Sequence, residues 1–157
     1  MPDHLPIAFK EFAQIVERIR GQIAWRSRAG SGTGSIFTLQ FGRPTSTDSR
    51  WGELSLMVYC AWRIVEADCI LCSWHEDSDA ALAPALRQLE NAEVTSVAST
   101  PWGDLTVDFT NGRSLQIWND APFEEDSTCW WIGAKEYGYY GVDSRNKFRF
   151  EPAIQRN

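Results

Sequence analysis

Apolar positions recur along this chain in two periods. In LPIAFKEFAQIVERIRG, Phe9, Phe12, Val16 and Ile19 fall at helical spacing and Gly21 offers a C-terminal stop. The spacing predicts a helix over residues 6–20, with Pro6 tolerated in its first turn. The period then shortens to two. In SIFTLQFG, Phe37, Leu39 and Phe41 alternate with Ile36, Thr38 and Gln40, and the preceding QIAWRSRA reads as a partner strand across the glycine-rich GSGTG. RPTSTDSRWG is turn-rich. The stretch LSLMVYCAWRIVEADCILCSW is apolar on both faces and reads as two buried strands, the expected sheet centre. Arg63, Glu66 and Asp68 interrupt it too often for a membrane span, which needs about 20 apolar residues in succession.

The second half repeats the order. After the acidic HEDSDA, the segment AALAPALRQLEN places Leu82, Leu86 and Leu89 on one helical face, with Pro84 in the first turn and Asn91 as a stop. EVTSVAS, DLTVDFT and RSLQIWN follow as strands, the last two joined by Asn111-Gly112, for which a type I′ hairpin turn is expected. TCWWIGA, YGYYGV and NKFRFEP are three further strands, and Phe148 and Phe150 alternate with Lys147 and Arg149 as on a strand with one wet face. Phe37, Leu39 and Phe41 match Leu105, Val107 and Phe109 at an offset of 68, and Ile19 matches Leu89 at 70. Either the chain holds pseudo-repeats over about 6–75 and 78–150, or amphipathic strands match by chance. The expected fold is one α+β domain over residues 1–157, two helices packed on predominantly antiparallel β-sheet, with an internally duplicated helix-plus-sheet unit as its finer form.

Composition narrows the class. With 43% hydrophobic residues and 8 Trp in 157, the chain has material for a single packed core, which excludes disordered, collagen-like and disulfide-rich secreted classes. The first twenty residues carry six charges, unlike a secretory signal. Cys60, Cys69, Cys72 and Cys129 sit in apolar segments as small hydrophobes, so the expected setting is a reducing cytoplasm. The net charge of -6 is uneven: residues 51–130 hold 3 basic and 14 acidic side chains, while both flanks are basic. That field disfavours nucleic acid and favours a basic protein partner.

DLTVDFTNGRSLQIW, with LENAEVTSVAS before it and CWWIG after it, resembles a group of small bacterial domains with a V-x-x-V strand, an L-x-V/L-x-F-x-D/N-G strand and a late Trp strand. The resemblance covers roughly residues 86–133. Some of those domains sit in genomic settings suggestive of toxin immunity, which implies a protein partner and carries over no catalytic residue.

Few residues suggest chemistry. Cys69-x-x-Cys72 lies on a strand, where residues three apart face opposite sides, so it reads as buried thiols rather than a zinc site. Gly30-Ser31-Gly32-Thr33-Gly34 precedes a strand, whereas a phosphate cradle opens a helix. His75, with Glu76, Asp77 and Asp79 beside it, permits a hydrolase on paper; no nucleophile elbow or His-Glu-x-x-His helix accompanies it. Asp104 and Asp108 alternate against Leu105, Val107 and Phe109, and Asp120, Glu124, Glu125 and Asp126 follow. Such a carboxylate row can imitate a nucleic-acid backbone and block a basic protein site. Most of the tryptophans are expected in the core, with Trp51, Trp102 and one of Trp130 or Trp131 at the surface.

Three functions compete. First is a non-enzymatic protein-binding domain, an immunity or accessory factor using Trp51, Trp102, Trp131 and these acids. Second is a small-molecule or carbohydrate binder using exposed Trp; third is a hydrolase centred on His75. A flat acidic patch favours the first and a concave Trp-lined pocket the second. No cofactor, metal or membrane is expected, and open strand edges suggest a homodimer.

Overall fold

The computed structural model describes residues 5–29, 35–76, 83–120, 127–135 and 137–153. Leu5–Pro6 (β1) precede the helix Phe9–Val16 (α1), which tightens into a 3-10 turn over Glu17–Ile19. Then come Ala24–Ala29 (β2), Phe37–Pro44 (β3), Gly52–Val58 (β4), Ala61–Glu66 (β5), Cys69–Ser73 (β6) and the short helix Ala83–Arg87 (α2). Val94–Ser99 (β7), Leu105–Phe109 (β8), Arg113–Trp118 (β9), Thr128–Ala134 (β10), Gly138–Asp143 (β11) and Lys147–Pro152 (β12) complete the chain. The molecule is mostly β. Antiparallel strands form a seven-stranded sheet, β1-β12-β11-β10-β4-β3-β2, and a five-stranded sheet, β6-β5-β9-β8-β7.

Each half of the chain begins as a three-stranded meander and then crosses to the other sheet. β2, β3 and β4 are neighbours, but Tyr59-Cys60 carries the chain out, and β5 pairs with β9 of the second meander. In return β10 pairs with β4. Cys129 anchors the crossing, its carbonyl accepting from both Tyr59 N–H (2.8 Å) and Cys60 N–H (3.1 Å).

The registers of the two halves correspond. Ala24 faces Phe41 as Val94 faces Phe109, and Ala29 faces Phe37 as Ser99 faces Leu105. Val58 faces Trp130 as Ile117 faces Trp62. Both indoles are fully buried and donate to a main-chain oxygen at 2.8 Å, Trp62 to Ser35 and Trp130 to Gly103. The starts of β2 and β7 are tied by Gly21 N–H to Val94 O, Asn91 N–H to Ala24 O, Ala24 N–H to Ala92 O and Val94 N–H to Gln22 O, 2.7–3.0 Å. Gly21 (φ 80°) and Asn91 (φ 69°) turn the chain through the left-handed region there, which Gly and Asn enter at least cost.

One apolar core joins both sheets and both helices. Phe37 meets Trp62 edge-on at 4.8 Å, and Phe12 packs on Trp130 (5.2 Å) and Phe148 (4.8 Å). Such aromatic pairs contribute roughly 0.5–1.5 kcal/mol beyond their buried area.

Several expectations need correction. The first helix begins at Phe9 and Pro6 lies in β1, while the second is only five residues long, so the sheets dominate. LSLMVYCAWRIVEADCILCSW makes three strands in two sheets. β4 lies inside the large sheet, whereas β6 is an edge strand with Ile70 61% exposed, because its apolar pattern found no neighbour on its outer side among the described residues. The β8–β9 hairpin is present, but only Gly112 has positive φ, and Gly112 N–H donates to Phe109 O (3.1 Å). The Thr110-Asn111-Gly112 loop therefore follows the three-residue pattern ending in a left-handed glycine. Only Trp62 and Trp130 among the tryptophans are fully buried. Leu82 and the GSGTG segment lie outside the described residues.

Because Trp62 and Trp130 fill corresponding places in one core, Trp62→Ala and Trp130→Ala should each lower the unfolding free energy by about 3–5 kcal/mol. Urea denaturation followed by circular dichroism measures this, and a loss below about 1 kcal/mol for either would contradict the packing described.

Candidate functional site

The outer face of the seven-stranded sheet carries an aromatic-walled cleft. Alternation along β10 turns Trp130 into the core and Trp131 outward. On β11, Tyr139 likewise faces out, 46% exposed, and meets Trp131 edge-to-face at 4.9 Å and 83°. Trp51, 40% exposed, stands at the head of β4 and borders the same cleft, of about 220 Å³. Gly52, Ser55, Gly133, Thr45, Thr47, Asp48 and Lys135 complete most of its lining. Two larger depressions adjoin it, one of about 510 Å³ sharing Trp131 and Tyr139, the other of about 570 Å³ sharing Thr45, Ala134 and Lys135.

Glycine leaves room for the aromatic corner. A Cβ at Gly133 would lie 3.1 Å from Trp131 Cζ3 and 3.2 Å from Tyr139 Cε1. The strand itself does not require glycine. In the five-stranded sheet, Val65 occupies the corresponding register, opposite Ser114 as Gly133 is opposite Ser55, and Arg63 stands where Trp131 stands. Core positions thus match between the halves, while the matched outer positions differ, Arg63 and Val65 on one face and Trp131 and Gly133 on the other.

Below the cleft lies a buried amide. Gln40, fully buried on β3, accepts at Oε1 from Gly52 N–H (2.9 Å) and from Ser55 Oγ. Its Nε2 has no partner among the described residues. At the rim, Arg50 donates to Asp48 through Nε (3.0 Å) and Nη2 (2.9 Å) and holds that carboxyl down at about 2. Thr45 Oγ1 donates to Asp48 O (2.7 Å) and fixes the loop.

The predicted site residues fall into separate places. Trp51 and Trp131 converge in the cleft. Trp102, 67% exposed, lies elsewhere, its carbonyl accepting from Asn119 Nδ2 (3.2 Å). Asp104 accepts from Asn119 N–H (2.9 Å) and Asp120 from Ala61 N–H (3.1 Å), beside the crossing of the chain. Asp108 accepts from Ser96 Oγ (2.6 Å). These three carboxylates satisfy local donors and do not border the aromatic cleft, because side chains that alternate on one strand are still claimed by different neighbours. Glu124, Glu125 and Asp126 lie outside the described residues, as do Asp77 and Asp79. His75 is exposed and stacks on Trp74 at 3.9 Å. Tyr139, Gly133 and Gln40 were missed by sequence reasoning; Gly133 two places after Trp131 was the available signal.

Among the described residues no group of three His, Cys, Asp or Glu side chains is arranged to hold a metal, and no helix is long and apolar enough to cross a membrane. Comparison with protein-family models, curated proteins and solved structures finds no match.

The thiols differ in access. Cys69 is exposed, while Cys60, Cys72 and Cys129 are buried. Burial, reinforced by neighbouring Cys129, Asp120 and Asp104, pushes the Cys60 thiol up, and burial with Glu76 raises Cys72. Raised values disfavour the reactive thiolate. At pH 8 a thiol reagent should therefore modify one cysteine per native chain, Cys69, and the other three only on unfolding. Four rapidly reacting thiols would contradict this arrangement.

Proposed function

We propose that this chain is a non-enzymatic binding domain that takes a small ligand in the cleft between Trp51, Trp131 and Tyr139. The observation that carries the reading is the glycine at 133, which yields space to two aromatic rings where the corresponding strand of the other sheet holds valine. A concave site walled by aromatic side chains with a few polar groups at its floor and rim is the usual form of a small-molecule pocket. The cleft itself, near 220 Å³, has room for a ligand of one ring, and the adjoining depression of about 510 Å³ shares its Trp131 and Tyr139 walls. The finer fold reading belongs to the same proposal: the chain is two copies of a helix-and-meander unit that exchanged strands, of which one outer face diverged into a binding site.

A protein partner at the same face is the second reading. Tyr59 and Tyr137 are exposed beyond the cleft, so the aromatic surface is wider than one small ligand needs. The resemblance over residues 86–133 implies a partner of this kind, and Trp131 falls inside that span.

A screen of uncharged single-ring compounds by ligand-observed NMR, run on the full chain and on Trp131→Ala, tests the first reading. Hits that bind the native chain and weaken roughly tenfold or more in the variant are expected; a library without any Trp131-dependent hit overturns it. Binding should also be flat from about pH 4 to 9. Arg50 depresses the Asp48 carboxyl, so its ionised form, and any contact using it, is fully present above the ordinary carboxylate range and lost only as pH falls toward 2. Isothermal titration across that range measures it.

A further inference from the structure

We infer that the ligand of this cleft is an uncharged pyranose sugar, an inference that rests on the small-ligand reading above. The first ground is the shape of the aromatic wall. Trp131 and Tyr139 meet at 83°, so they form a corner and not a parallel-sided slot. A flat aromatic ligand can use such a corner by stacking on one ring and meeting the other edge-on, so the polar groups around the corner choose between the two ligands. A pyranose has a different demand: one apolar C–H face to cover a ring, and hydroxyls around its edge that need partners.

The second ground is the polar complement. Thr47 supplies a hydroxyl, Ser55 an acceptor oxygen whose proton is given to Gln40, and Asp48 a carboxylate with acceptor capacity beyond its Arg50 bonds, a mixture suited to groups that both donate and accept. The Arg50 guanidinium balances the Asp48 charge, which leaves Lys135 as the remaining charged side chain of the lining. Nothing here matches the paired cations that recognise phosphate or carboxylate bidentately.

The third ground is Gln40. Its Oε1 is held by Gly52 and Ser55, both cleft-lining, and its buried Nε2 has no partner among the described residues. A buried donor left unpaired is unfavourable, and a hydroxyl acceptor entering over Ser55 removes that penalty as the floor adjusts to it. Tight discrimination follows from such a donor, because a ligand lacking the acceptor leaves it unpaired again.

The test uses the full chain with the methyl β-pyranosides of glucose, galactose, mannose and N-acetylglucosamine, and with p-cresol as a flat aromatic comparator. At least one pyranoside is expected to bind in the millimolar range, to shift the Gln40 side-chain NH₂ resonances, and to weaken about tenfold or more in Trp131→Ala and Gln40→Glu. Gln40→Glu keeps the acceptor oxygens but removes the donor; should it fail to fold, the resonance shift in the native chain still decides the role of Gln40. Pyranoside binding that is unchanged in Trp131→Ala, or that leaves the Gln40 resonances unmoved, overturns the inference. Trp131-dependent binding of p-cresol with no pyranoside bound overturns the sugar and leaves the small-ligand reading standing. If none of the five binds in a Trp131-dependent way, the sugar falls, and the library screen decides the small-ligand reading.

Discussion

Backbone pairing at two seams, β4 with β10 and β5 with β9, is the constraint on which the rest of this structure depends. Each meander ends in a strand whose outer edge would present a row of unpaired N–H and C=O groups. Such edges are costly when buried and hazardous when exposed. Here each is covered by strands contributed from the other half of the chain. The crossing segments are short on one side, Tyr59-Cys60, and both of their N–H groups are taken by a single carbonyl, that of Cys129. Neither half can leave without opening a seam in each sheet, and the bonds between the starts of β2 and β7 close the arrangement on a further side.

The same exchange creates the candidate site. Trp51, Gly52 and Ser55 come from the first half, and Trp131, Gly133 and Tyr139 come from the second, brought alongside by the β4–β10 seam. The opposite seam joins β5 to β9 with the same register but places Arg63, Val65 and Ser114 on its outer face. There Arg63 donates to Gln116 (2.7 Å) and lies over the Trp118 ring, and Val65 pairs with the exposed Ile70, so this face mixes polar and apolar side chains. Two seams of like geometry thus carry unlike faces, since core packing restricts the inward residues and leaves the outward ones free to differ.

Local signals were legible where one neighbour decides the outcome. The alternation of Phe37, Leu39 and Phe41 specified a strand and its buried face, and the matching Leu105, Val107 and Phe109 did the same. Trp130 and Trp131 had to face opposite ways because the strand period is two. The turn after Phe109 was legible as a turn but not in its type, since a glycine with positive φ serves more than one hairpin loop. CILCSW looked central because hydrophobic content does not tell a strand how many neighbours it has. The acidic row Asp104 and Asp108 looked like a surface feature, but Asn119 and Ser96, distant or indeterminate in the sequence, claim those oxygens.

By itself, then, the sequence determined the strand-rich character, the inward faces, the opposite directions of Trp130 and Trp131 and the exposure of the loop tryptophans, since these follow from periodicity and side-chain size. Tertiary structure decided which strands pair, that the chain crosses between sheets, and that Trp51 and Trp131, 80 positions apart, share a cleft while Trp102 does not. The physical reason is the range of the interactions. Periodicity is set within a few residues, whereas a cleft is set by backbone hydrogen bonds between strands far apart in the chain, and only their register brings its walls together.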